Sequence, residues 1–119
     1  MSSAFIYHIC KRAEWNNALS RGAYPGSSQD VADGFIHFSS RHQVMASAAK
    51  HRARQEGLVL LTVDPLILGK NLRWEPARGG ELFPHLYGPL PTTAVKVVDD
   101  LPLDDDGMHV FPTGFTDPA

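Results

Sequence analysis

The order of apolar runs along the chain predicts a single α+β domain. Strand-like stretches rich in Phe, Ile, Val and Tyr recur from end to end. Two helical segments, residues 11–21 and 41–56, separate the first three strands. No further long helix follows, so the elements read β-α-β-α-β-β-β-β, a pattern that does not build alternating parallel units. A length of 119 residues with 43% hydrophobic and 20% charged side chains suits one packed domain.

Phe5–Ile9 is the first strand, with Phe5, Tyr7 and Ile9 on one face and Ile6 and His8 on the other. Residues 11–21 form a helix whose Trp15, Ala18 and Leu19 make one apolar stripe, and Gly22 stops it. Residues 23–33 hold Pro25, Gly26, Ser27 and Ser28 and read as a loop, with one helical turn over 29–33. The stretch Gly34-Phe35-Ile36-His37-Phe38-Ser39-Ser40 is a buried strand running directly into a helix, with Ser40 as N-cap and Gln43 completing a capping box. That helix is expected to reach about Glu56, with Val44, Met45, Ala48, Ala49 and Ala53 buried. Residues 58–64 are apolar without alternation, which predicts a strand covered on both faces. Pro65 and Gly69 bracket a turn or short helix. Residues 71–76 alternate, with Arg73 and Glu75 on one face and Leu72 and Trp74 on the other. The prolines of residues 81–91 argue against a central ladder position, although His85 and Tyr87 lie at strand spacing. A helical turn over 92–95 and a strand over 96–99 complete a domain of residues 1–103. The acidic, Gly/Pro-rich residues 104–119 read as a solvated tail, ordered in part by Met108, Val110 and Phe111.

A net charge of −2 provides no basic field to gather nucleic acid. One cysteine, Cys10, allows no internal disulfide and suggests a reducing compartment. No signal-like segment and no membrane-length apolar run is present, so a cytoplasmic, soluble protein is expected.

Three histidines, His8, His37 and His85, lie inside apolar strand-like stretches, whereas His42, His51 and His109 read as surface residues. With Glu75 they admit three readings. His and carboxylate could ligate zinc, although no close His-x-His or HExxH pair is present. The rings could instead serve a nucleotide-handling cleft. Ser39 shares the face of His37 by strand alternation, and both precede a helix N-terminus suited to a sugar phosphate. The third reading is that these side chains satisfy buried backbone groups. Cys10, near His8, has the type of a nucleophile but nothing to activate it, and reads as a small buried hydrophobe.

Tyr7-His8-Ile9, Trp15, Gly34-Phe35-Ile36-His37-Phe38-Ser39, Gln43 and Phe83-Pro84-His85-Leu86-Tyr87-Gly88 together resemble the bacterial family called domain of unknown function 952, over roughly residues 4–103. That resemblance implies a fold similar to ADP-ribosyltransferases and NAD-dependent RNA 2′-phosphotransferases: a split mixed or antiparallel sheet with two main helices. It implies an NAD cleft in which Tyr7 and His8 begin the site and His8 contacts a ribose. His37 and Ser39 then form the second motif. Glu75 or Glu81 supplies the transferase carboxylate, or His85 replaces it. Arg73 and Tyr87 become ligand-binding residues, Tyr87 by stacking on a ring. The expected function is an NAD-dependent ADP-ribosyl- or phosphotransferase-like enzyme with a small-molecule nucleotide as partner. A non-catalytic nucleotide or sugar-phosphate module and a His/carboxylate metal-dependent hydrolase are the alternatives.

Overall fold

The uninterrupted apolar run Leu58–Val63 (β4) has all six residues buried. It forms the middle of a three-stranded antiparallel sheet between β1 (Ile6–Lys11) and β8 (Val95–Leu101) in this computed structural model, which describes residues 5–112. Burial on both faces explains why β4 lacks alternation. On one face Ile6 and Cys10 of β1 join Trp15, Tyr24, Ile36, Phe38 and Leu86. On the other, Tyr7 and Ile9 meet Val44 and Ala48 of the second long helix, together with Leu101 and Phe111. The alternation read from β1 therefore divides two cores.

Of the two main helices, α1 (Arg12–Arg21) buries Trp15 and Ala18 but leaves Leu19 about 55% exposed. The apolar stripe is narrower than expected, because positions three apart suffice to cover the Tyr24 edge. The other, α3 (Arg41–His51), ends earlier than expected and buries Gln43, Val44 and Ala48. Met45, Ala49 and Ala53 are exposed. Arg54 at φ 64° turns the chain away before a longer apolar face can form. Between the helices lie the short strand β2 (Ala23–Tyr24), α2 (Ser28–Asp33) and β3 (Ile36–His37). After β4 come α4 (Pro65–Leu68), β5 (Leu72–Pro76), β6 (Leu82–Leu86) and β7 (Leu90–Pro91), the last pairing with β2 in a two-stranded ribbon.

The second three-stranded sheet has the order β3-β6-β5 and is antiparallel. Its middle strand is the proline-bearing β6, contrary to the sequence expectation. In an antiparallel ladder the nitrogen and carbonyl of one residue face the same neighbour. The Pro84 carbonyl accepts from Phe38 N at 2.9 Å, so the missing N–H also points toward Phe38, just beyond the end of β3. No ladder bond within the paired residues is lost, and a central position tolerates this proline.

The stretch 34–40 joins the two sheets. Ile36 and His37 pair with β6, whereas Ser39 pairs with Tyr7 of β1 through reciprocal 2.8 Å backbone bonds. The expected capping box at Ser40 and Gln43 is present. Gln43 Oε1 accepts from Ser40 N at 2.9 Å, the Ser40 side chain faces the Gln43 backbone N, and Ser40 Oγ also bonds the His42 ring at 3.1 Å. The Gln43 amide also donates to Leu82 O at 2.8 Å, tying α3 to β6. Residues 102–110 fold back on themselves, with Val110 N donating to Pro102 O, and Phe111 is buried against α3. Among the described residues no helix is long and apolar enough to cross a membrane.

Candidate functional site

The register of the β3-β6-β5 sheet builds a row of side chains. His37 pairs with His85, and His85 pairs with Arg73. Alternation then brings Glu75 and Tyr87 to the same face, while Ile36, Leu86 and Leu72 pack into the core behind it. Arg73, Glu75, His85 and Tyr87, read from alternation alone, therefore do meet.

Glu75 is the hub of the outer half. Its Oε1 accepts from His85 Nδ1 at 2.8 Å and from the Tyr87 hydroxyl at 2.6 Å. Those two bonds, that of Tyr87 first, hold the carboxyl below its ordinary pKa, and the same bond raises that of Tyr87. Oε2 has no partner among the described residues. The Arg73 guanidinium lies 5.2 Å over the Tyr87 ring. Phe35 packs the inner edge, stacked on His85 at 4.1 Å and close to His37 and Tyr87 at 4.6 and 5.3 Å.

The inner half centres on Asp30, a residue that the sequence places in a single helical turn over 29–33 without assigning it a role. Its carboxylate is 3% exposed. Asp30 is the third residue of α2 and forms a capping box with Ser27, accepting from Ser27 N at 2.7 Å while its own N–H bonds Ser27 Oγ. Its Oδ1 accepts from both the backbone N (3.1 Å) and Nδ1 (2.5 Å) of His37. Burial alone would raise this carboxyl; the His37 ring bond and the backbone N–H groups outweigh it and bring the pKa down to about 2. The other nitrogen of His37 meets Asp33 Oδ2 at 3.1 Å. With a carboxylate at each nitrogen both must donate, so the ring is an imidazolium, and the Asp30 bond is the main cause of its raised pKa. Gly26 makes room for this arrangement: a Cβ there would stand 2.7 Å from that of Asp30, at a φ of 101°.

His8 is 4% exposed and faces the same centre from β1. Its Nδ1 donates to His37 O at 2.6 Å, because a carbonyl only accepts. Its Nε2 therefore accepts from the Tyr24 hydroxyl at 2.8 Å, with Asp30 Oδ2 at 3.7 Å. Burial lowers the His8 pKa and the ring is neutral. Tyr24 is bonded in turn by Cys10, whose thiol burial pushes up to about 12, in keeping with its reading as an inert core residue.

The other expected site residues lie apart from this face. Tyr7 is buried against α3, on the opposite side of β1 from His8. Ser39 is buried and its Oγ bonds Ser47 of α3 at 3.3 Å, so it does not share the partners of His37; the switch of sheets after His37 carries it elsewhere. Glu81 is exposed and pairs with His42 at 2.9 Å. His8, His37 and His85 are not arranged as ligands of one ion, and among the described residues no three His, Cys, Asp or Glu side chains converge to hold a metal. A cavity of about 120 Å³ between α1 and the segment after β2, lined by Glu14, Asn17, Arg21 and Tyr24, shares only Tyr24 with the cluster.

Sequence reasoning missed Asp30, Asp33, Tyr24 and the stacking role of Phe35. A Ser27-x-x-Asp30 capping pattern was the available signal for Asp30, but it announces a helix start and not a buried anion.

Comparison with known proteins places this geometry in a family. A model of proteins of unknown function, DUF952, matches residues 9–98. The crystal structure of protein CC0527 from Caulobacter crescentus is 48% identical, with a TM-score of 0.86 over 89% of this chain and 93% of that one. The solution NMR structure of CC0527 is 49% identical, with a TM-score of 0.79 over 87% and 90%. A search of curated proteins finds no match. The chain belongs to the DUF952 family.

Proposed function

We propose that the face formed by β3, β6 and β5 receives the nicotinamide–ribose end of NAD and that the protein is an ADP-ribosyltransferase-like enzyme. The observation that carries this reading is Glu75: an ionised carboxylate with one oxygen clamped by two donors and the other without a partner among the described residues. Loss of nicotinamide from NAD leaves positive charge on the ribose. A carboxylate already fixed beside that centre stabilises it with little reorganisation. The surrounding charge supports the same assignment. Asp30, Asp33 and Glu75 outnumber the His37 imidazolium and Arg73. Such a face favours a centre that carries or gains positive charge over a bare phosphate group. Two small antiparallel sheets meeting at Tyr7 and Ser39, with two main helices, are compatible with the split-sheet fold of those enzymes.

In this reading Glu75 stabilises the ribose, Arg73 and Tyr87 contact the ligand, and His37 is a fixed cation within the wall. His8 acts from behind, holding the His37 carbonyl. The experiment is a calorimetric titration with NAD of the protein and of Arg73→Ala and Tyr87→Ala, with nicotinamide assayed in parallel. Saturable binding weakened in both variants, together with nicotinamide release, is expected. Absence of binding at millimolar NAD would overturn the reading. Binding without release would leave a non-catalytic nucleotide module in its place.

A further inference from the structure

We infer that His85 is the general base of this face and that the acceptor it serves carries an O–H group, either water or a hydroxyl. The inference rests on the ribosyl-transfer reading above and assigns its second substrate class.

The His85 ring is fixed on three sides. Its side chain is 9% exposed, Phe35 is stacked on it at 4.1 Å, and His37 meets it edge-on at 5.6 Å. Its Nδ1 bonds Glu75 Oε1 at 2.8 Å, and since a carboxylate accepts, Nδ1 carries the proton. In the neutral ring Nε2 is then the lone-pair atom. Nε2 has no hydrogen-bond partner among the described residues, yet no buried side-chain nitrogen or oxygen among them lacks one. It follows that Nε2 is not fully buried, although the ring is largely enclosed. A carboxylate orients the imidazole, and its free nitrogen looks outward from the same face as Glu75 Oε2. Base and charge-stabilising carboxylate thus belong to one hydrogen-bonded pair. The groups facing the ring are Glu75, the His37 imidazolium, Arg73 and Tyr87.

The acceptor O–H gives its proton to His85 Nε2 as its oxygen bonds C1′ of the ribose. The C1′–N bond to nicotinamide breaks, and its electron pair neutralises the pyridinium. The imidazolium then returns the proton to solvent. With water the products are ADP-ribose, nicotinamide and a proton.

The test compares the protein with His85→Asn, whose amide can still donate to Glu75 but has no Nε2. NAD binding is measured by calorimetry and nicotinamide release across pH. The expected result is binding within about threefold of the parent, with release reduced by about 10²-fold or more and its fall at acidic pH abolished. Parent-like release by the variant would overturn the inference. Independently of NAD, diethyl pyrocarbonate acylates a neutral, accessible imidazole nitrogen, and modified residues are mapped by mass spectrometry. His85 should be modified while His8 is spared, and Glu75→Gln should slow the His85 reaction. If the parent releases no nicotinamide, the ribosyl reading falls and the mapping decides the base. Modification that depends on Glu75 upholds an outward-facing carboxylate–imidazole base, and an unreactive His85 overturns it.

Discussion

His8 and His37 sit on either side of one buried carboxylate and titrate in opposite directions. His37 has its pKa raised, so its contribution to stability is complete below the ordinary value of 6.5 and is lost as pH rises through the folded value. His8 has its pKa lowered by burial. It stays neutral in the fold while the unfolded chain binds a proton, so stability is lost as pH falls below 6.5. Asp30 adds a second acid loss between its ordinary value of 3.8 and about 2. Urea unfolding midpoints between about pH 4 and pH 9 should pass through a maximum near the shared ordinary value of the two rings. His37→Gln should remove the alkaline decline and keep the acid one. A monotonic profile in the parent would contradict the assignment. Tyr24→Phe removes the donor to His8 Nε2 and leaves that buried atom unpaired, which should cost roughly 1–3 kcal/mol, read from the same midpoints.

At the scale of elements, α1 provides a paired test. Trp15 is 4% exposed and packs edge-on against Tyr24, whereas Leu19 is 55% exposed. Trp15→Ala should cost roughly 3–5 kcal/mol and Leu19→Ala less than about 0.5 kcal/mol. Thermal or urea unfolding of both would show whether one stripe position carries the helix. The segment joining β2 to α2 depends on Gly26 for a different reason. Gly26→Ala would press a methyl group against Asp30 at a φ that disfavours side chains. It should destabilise the protein and perturb the His37 ring resonance together, and a change in stability with an unmoved His37 resonance would separate Gly26 from the cluster.

For the molecule as a whole, local pattern and long-range pairing were legible to different degrees. The α+β order, the covered strand Leu58–Val63 and the faces of residues 71–76 follow from the presence or absence of alternation, which acts between near neighbours. Arg73, Glu75, His85 and Tyr87 were visible because each pair lies two residues apart on a strand. Asp30 was not, because its meaning comes from His8, 22 residues earlier in the chain by numbering, and from the His37 ring across a turn. Ser39 was misplaced because its strand has changed sheets two residues after His37 pairs. Pro84 misled because the rule against central prolines concerns a lost donor, and here the donor faces a position past the strand end.

In the proposed reading Glu75 is the charge-stabilising carboxylate of a nicotinamide-releasing site. Nicotinamide release from NAD by the parent and by Glu75→Gln, at matched saturation measured by calorimetry, tests it most directly. Release by the parent and a loss of about 10²-fold or more in the variant, with binding retained, are the expected results. Equal release by both proteins, or none by a parent that is saturated with NAD, would contradict it.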